Sequence, residues 1–190
     1  LILGKETNGW GENENFTKQD ELQKLYIDKI NDKGFSKGYG HFWNFYFNYI
    51  KNIEENNPNV GICVSNIALL GFRYGKKGYD TNLAKELSYY LKEYLELLKP
   101  NIIVCFAGFG TKTHQENNYI LILKEIFGDY KGNTPISSGR NIRFPLLKLS
   151  FDKLQNKIEL YGSAHPERKS IEWREMIKNT LEEILQQKKG

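Results

Sequence analysis

Methionine, histidine and cysteine are scarce in this sequence: one Met, three His and two Cys among 190 residues. Cys63 and Cys105 each stand inside an apolar run, and neither belongs to a Cys-x-x-Cys pair. That pattern argues against a disulfide and against a thiolate metal site. Both read as buried free thiols, the usual state in a reducing compartment. His41, His114 and His165 lack ligand spacing, so no metal is expected. His41 and His114 stand near helix starts and receive no role. No apolar run approaches the roughly 18 residues that a membrane-crossing helix needs, and no signal-peptide pattern is present. A cytoplasmic protein without membrane contact is expected. Met is also missing from the first position: Leu1 already opens a strand, so residues upstream of it are expected. A large charge excess is lacking too. The formal net charge of +4 permits a nucleic-acid partner without demanding one.

Aromatic residues are plentiful, at 14% with 12 Tyr and 11 Phe. A chain of this length can bury a sizeable core, and one domain spanning residues 1–190 is expected. Strand-like apolar runs alternate with helical periodicity. "LIL" at the start is a short strand. "TKQDELQKLYIDKIN" spaces Leu22, Leu25, Tyr26 and Ile30 for a helix, and Thr17 can cap it. "HFWNFYFNYIKNIEENN" reads as a second helix that ends at Pro58, and "VGICVSNIALL" as a buried strand. The clearest helix is "TNLAKELSYYLKEYLELLK", with Leu83, Leu87, Tyr90, Leu91, Tyr94, Leu95 and Leu98 as its buried stripe. "NIIVCFAGFG" is the next buried strand. A helix near 114–127 follows, then a polar loop through "GNTPISSGR". "FPLLKLSF" and "KIELYGSAHP" read as strands joined near Asn156, and a last helix covers about 170–187. The alternation predicts an α/β fold: a three-layer α/β/α sandwich with a mainly parallel central sheet.

In such sheets ligands bind beyond the carboxyl ends of the strands. Those ends deliver Gly4, Lys5 and Glu6; Ser65 and Asn66; Gly108, Phe109 and Gly110; and Ser163, Ala164, His165 and Pro166. A carboxylate, an amide and an imidazole therefore converge from three strands. "GFGTK" lacks the spacing of a phosphate-binding P-loop.

"LILGKET", "ICVSNIALL" and "LYGSAHPERK" resemble, in order and in separation, the three motifs of the uracil-DNA glycosylase superfamily. In that family an apolar strand ends in Gly-Gln-Asp-Pro-Tyr, a middle strand ends in Asn, and a late strand ends in His-Pro-Ser. The resemblance covers most of the chain and implies a uracil-DNA-glycosylase-like fold. It implies that the protein cleaves the N-glycosidic bond of a flipped uracil or modified pyrimidine in DNA, as a cofactor-free monomer, and leaves an abasic site. Glu6 would activate water and stabilise an oxocarbenium-like sugar. Asn66 would read one edge of the base, since an amide offers both a donor and an acceptor. His165 would donate a hydrogen bond to the departing base. Phe42, Trp43 and Trp10 are candidates for the aromatic surface on which the base stacks. Lys5, Arg73, Lys76, Lys77, Ser163, Arg168 and Lys169 would contact the nucleic-acid backbone.

The sequence departs from the family pattern in two places. Thr7 and Asn8 stand where the family has Pro-Tyr, a Tyr that excludes 5-substituted pyrimidines. Asn8 therefore implies a pocket open to a substituent at carbon 5, unless Trp10 fills it. The loop after His165 is charged, and Ile171 is its first apolar residue. That suits single-stranded or damaged DNA, where flipping a base costs least. Two other readings remain open. One is a non-catalytic relative that binds nucleic acid or a protein through the same cleft. The other is a small-molecule nucleoside hydrolase.

Overall fold

The computed structural model describes residues 1–6, 41–68, 81–109, 118–136, 144–167 and 169–188; within these, the side chains of residues 5, 6, 41, 66, 68, 81, 83 and 118 are not described. The expected helix over 17–31 lies outside that set.

Among the described residues, six strands form one mixed sheet. They are β1 (Ile2–Glu6), β2 (Val64–Ala68), β3 (Ile102–Phe106), β4 (Tyr130–Pro135), β5 (Leu147–Phe151) and β6 (Glu159–Ser163), in the order β2-β1-β3-β6-β5-β4. β1 pairs in parallel with β2 and with β3, and β3 in parallel with β6. β5 is antiparallel to both β6 and β4. The parallel strands are short and rich in Ile, Val and Leu, as strands covered on both faces must be.

The helical elements are α1 (His41–Phe45), a π-helical segment (Tyr46–Ile50), α2 (Lys51–Glu55), α3 (Thr81–Leu98), α4 (Asn118–Phe127) and α5 (Ile171–Gln187). Period-2 alternation divides the core. Leu3, Ile103, Cys105 and Leu160 pack with Leu87 and Leu91 of α3 and with Ile120, Leu123 and Phe127 of α4. Ile2, Val104, Phe106 and Tyr161 pack with Phe42, Phe45, Ile50 and Ile53, and with Trp173, Ile177 and Leu181 of α5. Helices thus cover both faces. β1 leads to β2 on one side of itself, and the chain then crosses back over β1 to reach β3. Right-handed connections put the covering helices of those two steps on opposite faces.

Local chemistry explains the element ends. Ser170 caps α5, its hydroxyl accepting from the Trp173 amide at 3.3 Å, and Glu172 sits in the positive first turn. α3 ends at Leu98; Lys99 follows in the left-handed region (φ 46°) and Pro100 prevents continuation. Gly162 of β6 faces Phe109 and Leu149 so closely that a β-carbon there would come within 3.0 Å of both.

Three expectations need correction. The polar stretch after α4 is not all loop, because Tyr130–Pro135 forms β4. Its Gly132, Pro135 and register irregularity suit an edge strand and discourage further pairing there. Tyr90 is exposed rather than part of the α3 stripe, whose buried members are Ala84, Leu87, Ser88 and Leu91. Cys63 is only half-buried, while Cys105 is fully enclosed; both are free thiols.

Candidate active site at the carboxyl edge of the sheet

The strand order creates one switch point. Neighbours of β1 leave it in opposite directions, so a crevice is expected outside the carboxyl ends of β1 and β3. The register fixes what stands there. Gly4 is level with Asn66, and Glu6 with Ala68, two residues nearer the edge. Leu3 pairs with Cys105 and Cys105 with Gly162. The paired rows end at Phe106 and Ser163. Beyond them Gly108 takes φ 87° and the Phe109 amide donates to the Ser163 carbonyl at 3.0 Å, so no row is carried as far as His165. The backbones of Glu6, Asn66 and His165 still share the edge to which their parallel strands run; the side chains of Glu6 and Asn66 lie outside the described set, as does that of Lys5.

His165 is half-buried two residues past the end of β6. The backbone amide of Glu167 donates to its Nδ1 at 3.3 Å. A neutral imidazole that accepts at Nδ1 carries its proton on Nε2. The ring lies nearly parallel to that of Phe42, with centroids 6.4 Å apart and planes at 22°. Phe42 in turn meets Trp43 edge-on at 5.5 Å and Phe106 at 6.4 Å.

Phe42 and Trp43 are therefore core residues, 7% and 8% exposed. Buried to that degree, neither ring presents an open stacking surface. Ser163 is also placed differently from its expected backbone-contact role. It is fully buried, and its hydroxyl donates to the Pro145 carbonyl at 3.0 Å, which ties β6 to the segment entering β5. Lys169 stays near the rim. Its Nζ lies 4.3 Å from the centre of the Phe144 ring and donates to the Glu167 carbonyl at 3.3 Å. The Phe144 carbonyl accepts from Trp173 Nε1 at 2.7 Å, so Phe144 braces the loop after His165 from both sides. Ile171 is 66% exposed at the start of α5, whereas Trp173 is buried. Asn8, Trp10, Arg73, Lys76, Lys77 and Arg168 lie outside the described residues.

Sequence reasoning passed over Glu167 and Phe144. Glu167 acts through its backbone amide, which no side-chain pattern reveals. Phe144 looked like the first residue of an apolar strand.

A pocket of about 580 Å³ opens at the opposite, amino edge of the sheet. Ile50, Ile53, Ile62, Pro100, Leu181 and Ile184 line it, and none of the expected site residues borders it. Among the described residues, no three His, Cys, Asp or Glu side chains gather as a cation's ligands. No helix among them is long and apolar enough to cross a membrane.

Comparison with protein-family models gave no match, and comparison with curated proteins gave none either.

Proposed function

We propose that the protein is a DNA glycosylase-like hydrolase of the uracil-DNA glycosylase type. It cleaves the N-glycosidic bond of a flipped uracil or modified pyrimidine and leaves an abasic site. The observation that carries this reading is His165. It stands two residues beyond the carboxyl end of β6, on the sheet edge to which β1 also runs, and its Nδ1 accepts from the Glu167 amide at 3.3 Å. A proton on Nε2 makes the ring a neutral donor. Such a donor, fixed before the reaction, stabilises the negative charge that grows on the departing base. Glu6 serves the other side of the broken bond: its carboxylate stabilises the cationic sugar and takes a proton from the attacking water. Asn66 reads the base edge. Asn8 and Trp10 select among 5-substituents, and Lys5, Arg73, Lys76, Lys77, Arg168 and Lys169 hold the backbone.

The test is product analysis. Labelled single- and double-stranded oligonucleotides carrying uracil, mismatched thymine or bulky 5-modified cytosines are incubated with the protein and then with alkali. Released bases are identified by mass spectrometry. Cleavage at one or more of these bases is expected. His165→Ala and Glu6→Gln should each slow it by about 10²–10³-fold. Binding without cleavage of any substrate would replace this reading with that of a non-catalytic relative.

A further inference from the structure

We propose that the pocket at the amino edge of the sheet binds an aliphatic carboxylate of medium chain length. The site is separate from the one proposed above, since no residue assigned there borders this pocket. It stands or falls independently of the glycosylase reading.

The pocket is apolar inside and cationic at its rim. Its floor is made by buried Ile50, Ile53 and Ile184, and half-buried Ile62, Ile102 and Leu185 form its walls. The accessible surface left on those walls is apolar, and covering it with an alkyl chain is favourable. The polar side chains that border it are exposed: Asn59, Asn101, Lys99, Lys157 and Lys188. No Asp or Glu borders it. A ligand that suits both parts has an apolar body and one anionic end. The volume, about 580 Å³, falls in the range of small-molecule sites.

The rim keeps positive charge to spare. Lys188 shares Glu159, at 3.2 Å, with Lys148 at 2.8 Å, so two cations answer that one carboxylate. Lys99 and Lys157 form no ion pair among the described residues. Helix ends account for part of this pattern, since Lys99 follows α3 and Lys188 follows α5, each at a negative helix terminus. They do not account for Lys157, in the turn between β5 and β6. Lys99 also occupies a left-handed position (φ 46°) that Gly or Asn usually fills, so a cation is kept there against the backbone's preference.

The wall is fixed by the protein's own hydrogen bonds. The Ile62 amide donates to Glu54 Oε1 at 2.9 Å, the Val60 amide to the Asn57 carbonyl at 2.9 Å, and Asn57 Nδ2 to the Ile53 carbonyl at 2.7 Å. The stretch over 57–62 is thereby held against α2. A pocket with a wall already in place avoids part of the ordering cost of binding.

Isothermal calorimetry with decanoate tests the proposal. Saturable binding of one decanoate per chain is expected. Octanoate, two methylenes shorter, should bind about 15-fold more weakly. Decanol keeps the chain and lacks the charge, so it should bind more weakly than decanoate at low salt, and the difference should shrink as salt is raised. Lys99→Gln combined with Lys157→Gln should weaken decanoate by about 3- to 10-fold and leave decanol unchanged. Ile62→Trp and Leu185→Trp each place a large ring in the pocket and should abolish both, with circular dichroism confirming the fold. No saturable binding, decanol bound as tightly as decanoate, or unchanged affinity in the double lysine variant overturns the proposal. Undiminished binding in a folded Trp variant overturns it as well, since the ligand then sits elsewhere. Leu1 also borders the pocket; loss of decanoate binding in a form that carries further residues ahead of Leu1 overturns it too, because those residues then take the ligand's place.

Discussion

Glu159 opens β6 at the amino edge and is the most heavily bonded carboxylate described. Lys148 Nζ donates to it at 2.8 Å, Tyr161 Oη at 2.9 Å, and Lys188 Nζ lies 3.2 Å away. Partial burial alone would push its carboxyl up, but these three donors outweigh that and hold it down to about 2 from 4.5. The same carboxylate, together with burial, pushes the Tyr161 phenol up, burial being the larger cause. A depressed carboxyl stabilises the fold above its unfolded value and loses that contribution as pH falls from about 4.5 towards 2. Glu159→Gln should therefore cost about 1 kcal/mol at neutral pH and flatten the acid limb of the stability curve. Urea midpoints between pH 7 and pH 3 check this; the difference between wild type and variant should shrink across that range. Nothing in the sequence marked Glu159, because its three partners come from β5, β6 and the end of α5. The reading of His165 rests, by contrast, on neighbours along the chain, the strand before it and the Pro after it.

The helical stretch over 41–55 shows how far an element can be read from its pattern. Its extent was plain from composition and from Pro58. Its π-helical middle was not, because aromatic residues at almost every position of Phe42–Tyr49 hide the period on which helix reading depends. The segment matters because π turns are wider than α turns and shift what precedes them around the axis. Phe42 and Phe45 upstream and Ile50 and Ile53 downstream are all buried in one cluster, so the π turn sets the phase between the two buried stretches. Removing Asn48, whose side chain bonds only within its own helix, to Asn44, should convert the segment to ordinary α-helix. That turns the upstream residues by about 100°. The Phe42–His165 contact should vanish, with a loss of stability as the buried Phe45 leaves the core. Proton nuclear Overhauser effects between the two rings report it directly. β4 was missed for a related reason: Lys131, Gly132, Asn133 and Pro135 are what an edge strand uses to avoid pairing, and they look like loop residues.

At the scale of the whole molecule, the sheet order explains why three separated motifs share one edge. Alternation of strands and helices was readable from the sequence, and so was the convergence of their carboxyl ends. The order β2-β1-β3-β6-β5-β4 was not, because apolar strands covered on both faces carry no signal of which neighbour they choose. If nucleic acid lies along this edge, its affinity is governed by phosphate neutralisation. For about four neutralised phosphates on a single strand, the slope of log K against log salt is about −3. Binding of a single-stranded oligonucleotide should then weaken about 50-fold between about 50 and 200 mM salt, as fluorescence anisotropy would show. The position of β1 also has a temporal side. It precedes the other described strands, yet it is interior to the sheet, and Leu3 pairs with Cys105 about a hundred residues later. During synthesis at about 5–20 residues per second, that strand waits on the order of 5–20 s for its second neighbour to be made. Contacts so distant in sequence form slowly. The nascent chain thus passes through an interval with an apolar strand half-paired, when a holding chaperone has most to offer it.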